Sequence, residues 1–336
     1  MRKAFILTAI ILQVLALAYM AGEREYILKA GTIIHLRTAP VDPRDIFRGD
    51  YVRLNYDISR IAVDQLKDAE NLKEIKKGQK LYVGLKEGPN GLYEMTYAQL
   101  NKPQGGLYLT GRSPNRHQIP QPGYPVWINY GIEAYFVEQG AGRAIEKRRG
   151  TRTGTQVPLE MAIAVGSGGK SVISGYRWSP IGIGLQVLRR PSQNTRQPPV
   201  PASALVQLTL ANASDEPLAI VNLTDYCSFS LEPVSWAREQ WTPVYDSCGS
   251  ALPNDSDIIV LSPGQAKTVD FDFSGERWRV EADGKASQIG SLDWTEQFRI
   301  VYRPPDEEDT RHLEHRDLIW HGYLSSRVFH GRGQID

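Results

Sequence analysis

Apolar residues fall into three patterns along the chain, and each predicts a different element. The first is unbroken. From Ala4 to Met20 the sequence "AFILTAIILQVLALAYM" carries no charge and follows Arg2 and Lys3. As a helix these 17 residues span about 25 Å, close to the ~30 Å of a bilayer core, and Ala21 and Gly22 lengthen the run. The second pattern is alternation with a period of two, which marks half-buried strands. It recurs in "YILKAGTIIHLRTAPV", "YVRLNYDIS", "KLYVGLKE", "LYEMTYAQL", "GLYLTGRS", "QVPLEMAIAV" and "SVISGYRW". In the third, between Ile61 and Gly78, the period lengthens. Ile61, Leu66, Ala69, Leu72 and Ile75 fall near one helical face, which predicts one helix ended by Gly78.

The 336 residues exceed what one compact core usually organises. The stretch at 188–202, "LRRPSQNTRQPPVPA", is proline-rich and basic and has no apolar period, which is a linker composition. The expected division is therefore an anchor at 1–22, a β-rich domain with one helix at 23–187, a linker at 188–202 and a second unit at 203–336. Beyond the linker, short apolar runs return between turn signals, in "ALVQLTLANASDEPLAIV", "DIIVLSPGQAKTVDFDF" and "QFRIVYRPP". That spacing reads as a β-sandwich, and the pattern resembles an immunoglobulin-like domain of bacterial envelope proteins. The predicted fold class is mainly β.

Charge adds direction more than chemistry. The formal net charge is +1, so nothing global points to nucleic acid. Positive residues before the apolar run put the N-terminus in the cytoplasm, with the body outside the inner membrane. A cleaved signal peptide is the competing reading, because "ALA" at Ala16–Ala18 resembles a cleavage site. The only two cysteines, Cys227 and Cys248, read as a disulfide in an exported protein or as two free thiols.

The stretch "RGDYVRLNYDI" from Arg48 to Ile58 carries the most specific signal. Gly49 and Asp50 form a turn into a strand. In that strand Val52, Leu54, Tyr56 and Ile58 share an apolar face, and Tyr51, Arg53, Asn55 and Asp57 share a polar one. The spacing of Gly49, Asp50, Tyr51, Leu54 and Tyr56 resembles the membrane-anchored bacterial GDYXXLXY family. So do "DPRD" at Asp42–Asp45, "GIEAYFVEQGAGRAIE" at Gly131–Glu146, and the anchor itself. The resemblance covers roughly residues 1 to 190. It implies an envelope protein and brings no catalytic residues with it.

Sites of chemistry are thin. Asp42, Arg44, Asp45, Arg48 and Asp50 make a dense charged turn, read either as a docking surface with Tyr51, Leu54 and Tyr56 or as local pairing. "VEQGAGRAIEKRRGTRTG" reads as a solvated hairpin, with binding to an anionic lipid or polymer as its functional alternative. His312, His315 and His321 are weak metal candidates without a familiar ligand spacing. Trp236, Trp241, Trp278, Trp294 and Trp320 read as core residues or as a sugar platform. No motif calls for a cofactor.

The turn also looks similar to the strand entry of type I signal peptidases. Those enzymes need a serine before the turn, where this chain offers only Thr38, and a lysine beyond it, where Lys80 and Lys86 occur. The expected function is a non-catalytic accessory or assembly protein, held in the lipid bilayer by its helix and docked to another membrane or envelope protein. The alternative is an envelope hydrolase, or a protein that binds polymer or glycan.

Overall fold

The N-terminal helix continues past the end of the apolar run. In the computed structural model, residues 2–39, 51–67, 73–115, 117–120, 125–138, 141–150, 154–189, 204–234, 242–243, 248, 252–282, 284–292 and 296–335 are described. One helix runs over Arg2–Ala30, and within it Phe5–Ala30 is long and apolar enough to cross a membrane. Its last turns pack on the body: Ile27 is buried against Ala164 and Val172, and Lys170 pairs with Glu23. Gly31 makes the turn from helix to strand. A side chain there would sit 2.5 Å from the Ile27 carbonyl oxygen and 3.0 Å from that of Val165, so only glycine allows this close approach.

The N-terminal half is built on a four-stranded antiparallel sheet in the order Ser171–Trp178, Leu159–Val165, Thr32–Ala39, Asn55–Tyr56. A second sheet has the order Tyr93–Gln99, Lys80–Glu87, Tyr108–Arg112. Their inward residues, among them Ile34, Leu36, Leu81, Val83, Leu109, Met161 and Ile163, share one core. The alternation in the sequence matches these strands because each has one face in that core.

The predicted helix between Ile61 and Gly78 does not form over the described residues. The chain instead makes a short strand at Arg60–Ile61, a 3-10 turn at Val63–Gln65 and a strand at Ile75–Lys76; residues 68–72 lie outside the described set. Ile61, Leu66 and Ile75 are all buried in the core. They reach it through strand pairing, with Ile61 opposite Val126 and Ile75 opposite Gln118. Tertiary pairing overrides a short 3.6-residue period. The domain's helix lies elsewhere, at Ala141–Arg149, inside the stretch expected to be a solvated hairpin. It forms because Ile145 anchors it in the core, and Lys147, Arg148 and Arg149 complement the negative end of its dipole.

The C-terminal half has its own core. Leu205–Asn212 lies between Ile181–Arg189 and Ala266–Asp272, and a second sheet centres on Gln297–Tyr302. Phe271 from the first sheet meets Phe229 from the second with ring centroids 5.2 Å apart. The pairing of Ile181–Arg189 moves the expected division at 187. This strand aligns with Leu205–Asn212 from Ile181↔Asn212 to Arg189↔Leu205, and Ile181, Ile183 and Leu185 lie in the C-terminal core. The change from one core to the other therefore falls near Ser179, and the proline-rich stretch, most of it outside the described residues, joins two strands of the same sheet.

Candidate functional site

The strand carrying the Leu54 and Tyr56 spacing is laced to the second block of the sequence resemblance. Tyr51–Arg53 pairs antiparallel with Ala134–Phe136, placing Tyr51 opposite Phe136 and Arg53 opposite Ala134. The Leu54 amide donates to the Glu133 carbonyl at 2.8 Å, and the Tyr56 hydroxyl donates to the Ile132 carbonyl at 2.8 Å. Tyr130 returns the contact, its hydroxyl donating to the Ile58 carbonyl at 2.6 Å. Two stretches about 75 residues apart in sequence thus close on each other.

Burial divides the motif as strand alternation predicts. Val52, Leu54, Tyr56 and Ile58 are buried, Tyr56 to 1% exposure, while Arg53 is exposed. Burial, and then the Glu133 carboxylate, push the Tyr56 phenol above its usual range, so its hydroxyl stays a donor. Leu54 and Tyr56 are therefore core residues, not contact residues. Phe136 is the reverse: it is 72% exposed on the ribbon that faces Tyr51. The Tyr51 side chain and all of Asp42, Arg44, Asp45, Arg48, Gly49 and Asp50 lie outside the described residues.

A second constellation joins the two halves. Arg37, Glu160 and Arg177 form one row across three strands, with Arg37↔Glu160 and Glu160↔Arg177 in register. Glu160 is fully buried and accepts from Arg37 Nη2 and Arg177 Nε, each at 2.7 Å. Arg37 also donates to the Tyr323 carbonyl and stacks over the Tyr323 ring at 4.5 Å. Asp57 accepts from the Tyr323 hydroxyl at 3.4 Å, Arg303 pairs with Glu94 at 3.1 Å, and Arg60 donates to the Val234 carbonyl. Leu92, at the tip of the hairpin between Lys80–Glu87 and Tyr93–Gln99, packs on Val301 and Tyr323.

None of these seam residues was a candidate from sequence. Their partners lie far apart along the chain, and the one local sign was Glu160 itself, a charge inside the apolar run "PLEMAIAV". In this setting burial, and next the Arg177 charge, hold His35 below the usual histidine value, while Glu160 partly offsets them.

The remaining sequence candidates disperse. Among the described residues no group of three or more His, Cys, Asp and Glu is placed to hold a metal. His312 faces the Pro253 carbonyl at 3.0 Å, His321 faces the Pro305 carbonyl at 3.2 Å, and His315 sits in a left-handed turn. Cys227 and Cys248 are joined in a disulfide. Trp278 and Trp320 are buried in the C-terminal core, and Trp236, Trp241 and Trp294 fall outside the described residues. Thr38, the one hydroxyl near a peptidase-like position, is buried and donates to the Leu159 carbonyl, while Lys80 and Lys86 are exposed.

No curated protein and no solved structure matches the chain. One family model does, described as GDYXXLXY protein, over residues 13–175. That span includes both laced stretches and most of the apolar helix, and it ends before the strand Ile181–Arg189 enters the C-terminal core. Over residues 13–175 this chain belongs to the GDYXXLXY protein family.

Proposed function

We propose that this chain is an extracytoplasmic accessory or assembly protein of the inner membrane, held by an uncleaved helix with its N-terminus in the cytoplasm, that docks to another membrane or envelope protein without catalysis of its own. The observation that carries this reading is the exposed Phe136, opposite Tyr51 on a two-stranded ribbon whose Val52 enters the core. A large exposed aromatic on a hydrogen-bonded strand pair suits a contact anchor at a protein interface. Arg2 and Lys3 before the apolar run support the orientation, and the packing of Ile27 on the sheet supports retention of the helix. The C-terminal half, which we read as an immunoglobulin-like sandwich, extends the reach of the protein or holds a second partner.

The test is co-purification from gently solubilised membranes, comparing the native chain with Phe136→Asp. Loss of a stoichiometric partner, with the unfolding midpoint unchanged, is the expected result. An unaltered set of co-purified proteins would place docking elsewhere.

A further inference from the structure

We infer that the N-terminal helix pairs with the same helix of a second copy of this chain, through Gln13. The inference rests on the membrane-anchored reading above, but on a different feature of the sequence. The uncharged stretch is bounded by Lys3 and Glu23, and Gln13 is ten positions from each. At 1.5 Å per residue its Cα lies about 15 Å from either boundary, at the middle of a ~30 Å hydrocarbon core. A glutamine side chain is too short to reach either interface from that depth.

Three polar side chains occur in the stretch, and they differ in what they can do about it. A threonine hydroxyl, as at Thr8, can bond back to its own helix, and Tyr19 lies four positions from Glu23, near the boundary. The Gln13 carboxamide is left at the centre, on an apolar span that is exposed, with no contact to it among the described residues. An unpaired amide in hydrocarbon is costly, and the usual remedy is a hydrogen bond from a neighbouring helix.

A carboxamide carries both donor and acceptor, so two of them related by a two-fold axis satisfy each other reciprocally. A second copy brings its amide to the same depth automatically, because the same Lys3 and Glu23 set both helices in the bilayer. Ala9 and Ala16 lie on the Gln13 face, four positions before and three after. Their small side chains let two backbones approach closely enough for the amides to meet.

The test uses the full chain, labelled with donor or acceptor dye at its C-terminus and reconstituted in phosphatidylcholine vesicles. Energy transfer is followed as lipid dilutes the protein. The native chain should stay paired to about 3- to 30-fold greater dilution than Gln13→Leu, with Gln13→Asn recovering part of the difference. Coincident dilution curves for the native chain and Gln13→Leu would overturn the pairing. So would native chains that remain single in vesicles and cross-link only to other proteins in native membranes. Alkaline carbonate extraction of the native chain separates the two levels: release from the membrane refutes the anchor itself, whereas retention without energy transfer refutes only the pairing.

Discussion

Glu160 shows how a single residue can join strands, sheet and halves. It is fully buried in Leu159–Val165, where a lone carboxylate would be strongly disfavoured. Arg37 and Arg177, in register on the flanking strands, compensate it. Replacing one member of a buried ion pair leaves the others uncompensated, which typically costs about 3–5 kcal/mol. Glu160→Gln should therefore lower the unfolding free energy by roughly that amount. Glu94→Gln breaks the Arg303 pair, whose side chains are 45% and 37% exposed, and should cost about 1 kcal/mol or less. Denaturant titration of both variants in detergent checks the contrast, and equal effects would contradict a buried keystone.

His35, close to the same row, gives a pH signature. Its folded value is depressed by burial and then by Arg177, so between that value and about 6.5 the unfolded chain binds more protons than the folded one. Stability contributed by the neutral ring is present above about pH 6.5 and is lost as pH falls below it. The stability difference between the native chain and His35→Gln should shrink or reverse between pH 7 and pH 5. A difference independent of pH would contradict this.

At the scale of elements, period-two alternation was a dependable guide and short helical periodicity was not. Strands such as Lys80–Glu87 and Leu205–Asn212 alternate because one face of each meets a core. The buried side of the motif strand, Val52 to Ile58, was legible for the same reason. The stretch from Ile61 to Ile75 offered an equally regular apolar set. Its residues are buried as expected, yet through separate pairings with Val126 and Gln118, partners that local sequence does not name. Conversely, the single apolar anchor Ile145 suffices for the helix Ala141–Arg149, too sparse a signal among so many charges. The pairing of Ile181–Arg189 across the proline-rich stretch was likewise invisible, since a linker composition does not reveal which strands it joins.

The disulfide is a further element-scale constraint. It ties the strained turn at Asp225 and Tyr226, both at positive φ, to a segment 21 residues away. Tyr226 also packs on Phe271 and Trp278 at the edge of the C-terminal core. Closing a loop of this length contributes about 3 kcal/mol in the chain-entropy picture. Reduction should shift C-terminal unfolding, read by tryptophan fluorescence, to lower denaturant by an equivalent amount. An unchanged midpoint would show that the loop stays ordered without it.

Across the whole molecule, the N-terminal apolar helix, the GDYXXLXY half and the C-terminal half are linked by side-chain contacts among the described residues. Ile27 and the Glu23–Lys170 pair fix the helix to the Leu159–Trp178 hairpin. At the other end of the same sheet face Arg37 meets Tyr323, and the Leu92 hairpin tip fills the seam. The motif strand is buried inside this assembly for most of its length, which explains Leu54 and Tyr56 as architecture. What it leaves at the surface is the edge where Phe136 stands opposite Tyr51. This edge is where docking should be tested most directly, by site-specific photo-crosslinking from position 136 in intact membranes, with a probe at the exposed Thr268 on the C-terminal sheet as control. One dominant protein adduct from position 136 and none from position 268 is the predicted result. The same adducts from both positions, or none from position 136 in a folded and membrane-bound protein, would contradict docking through this motif.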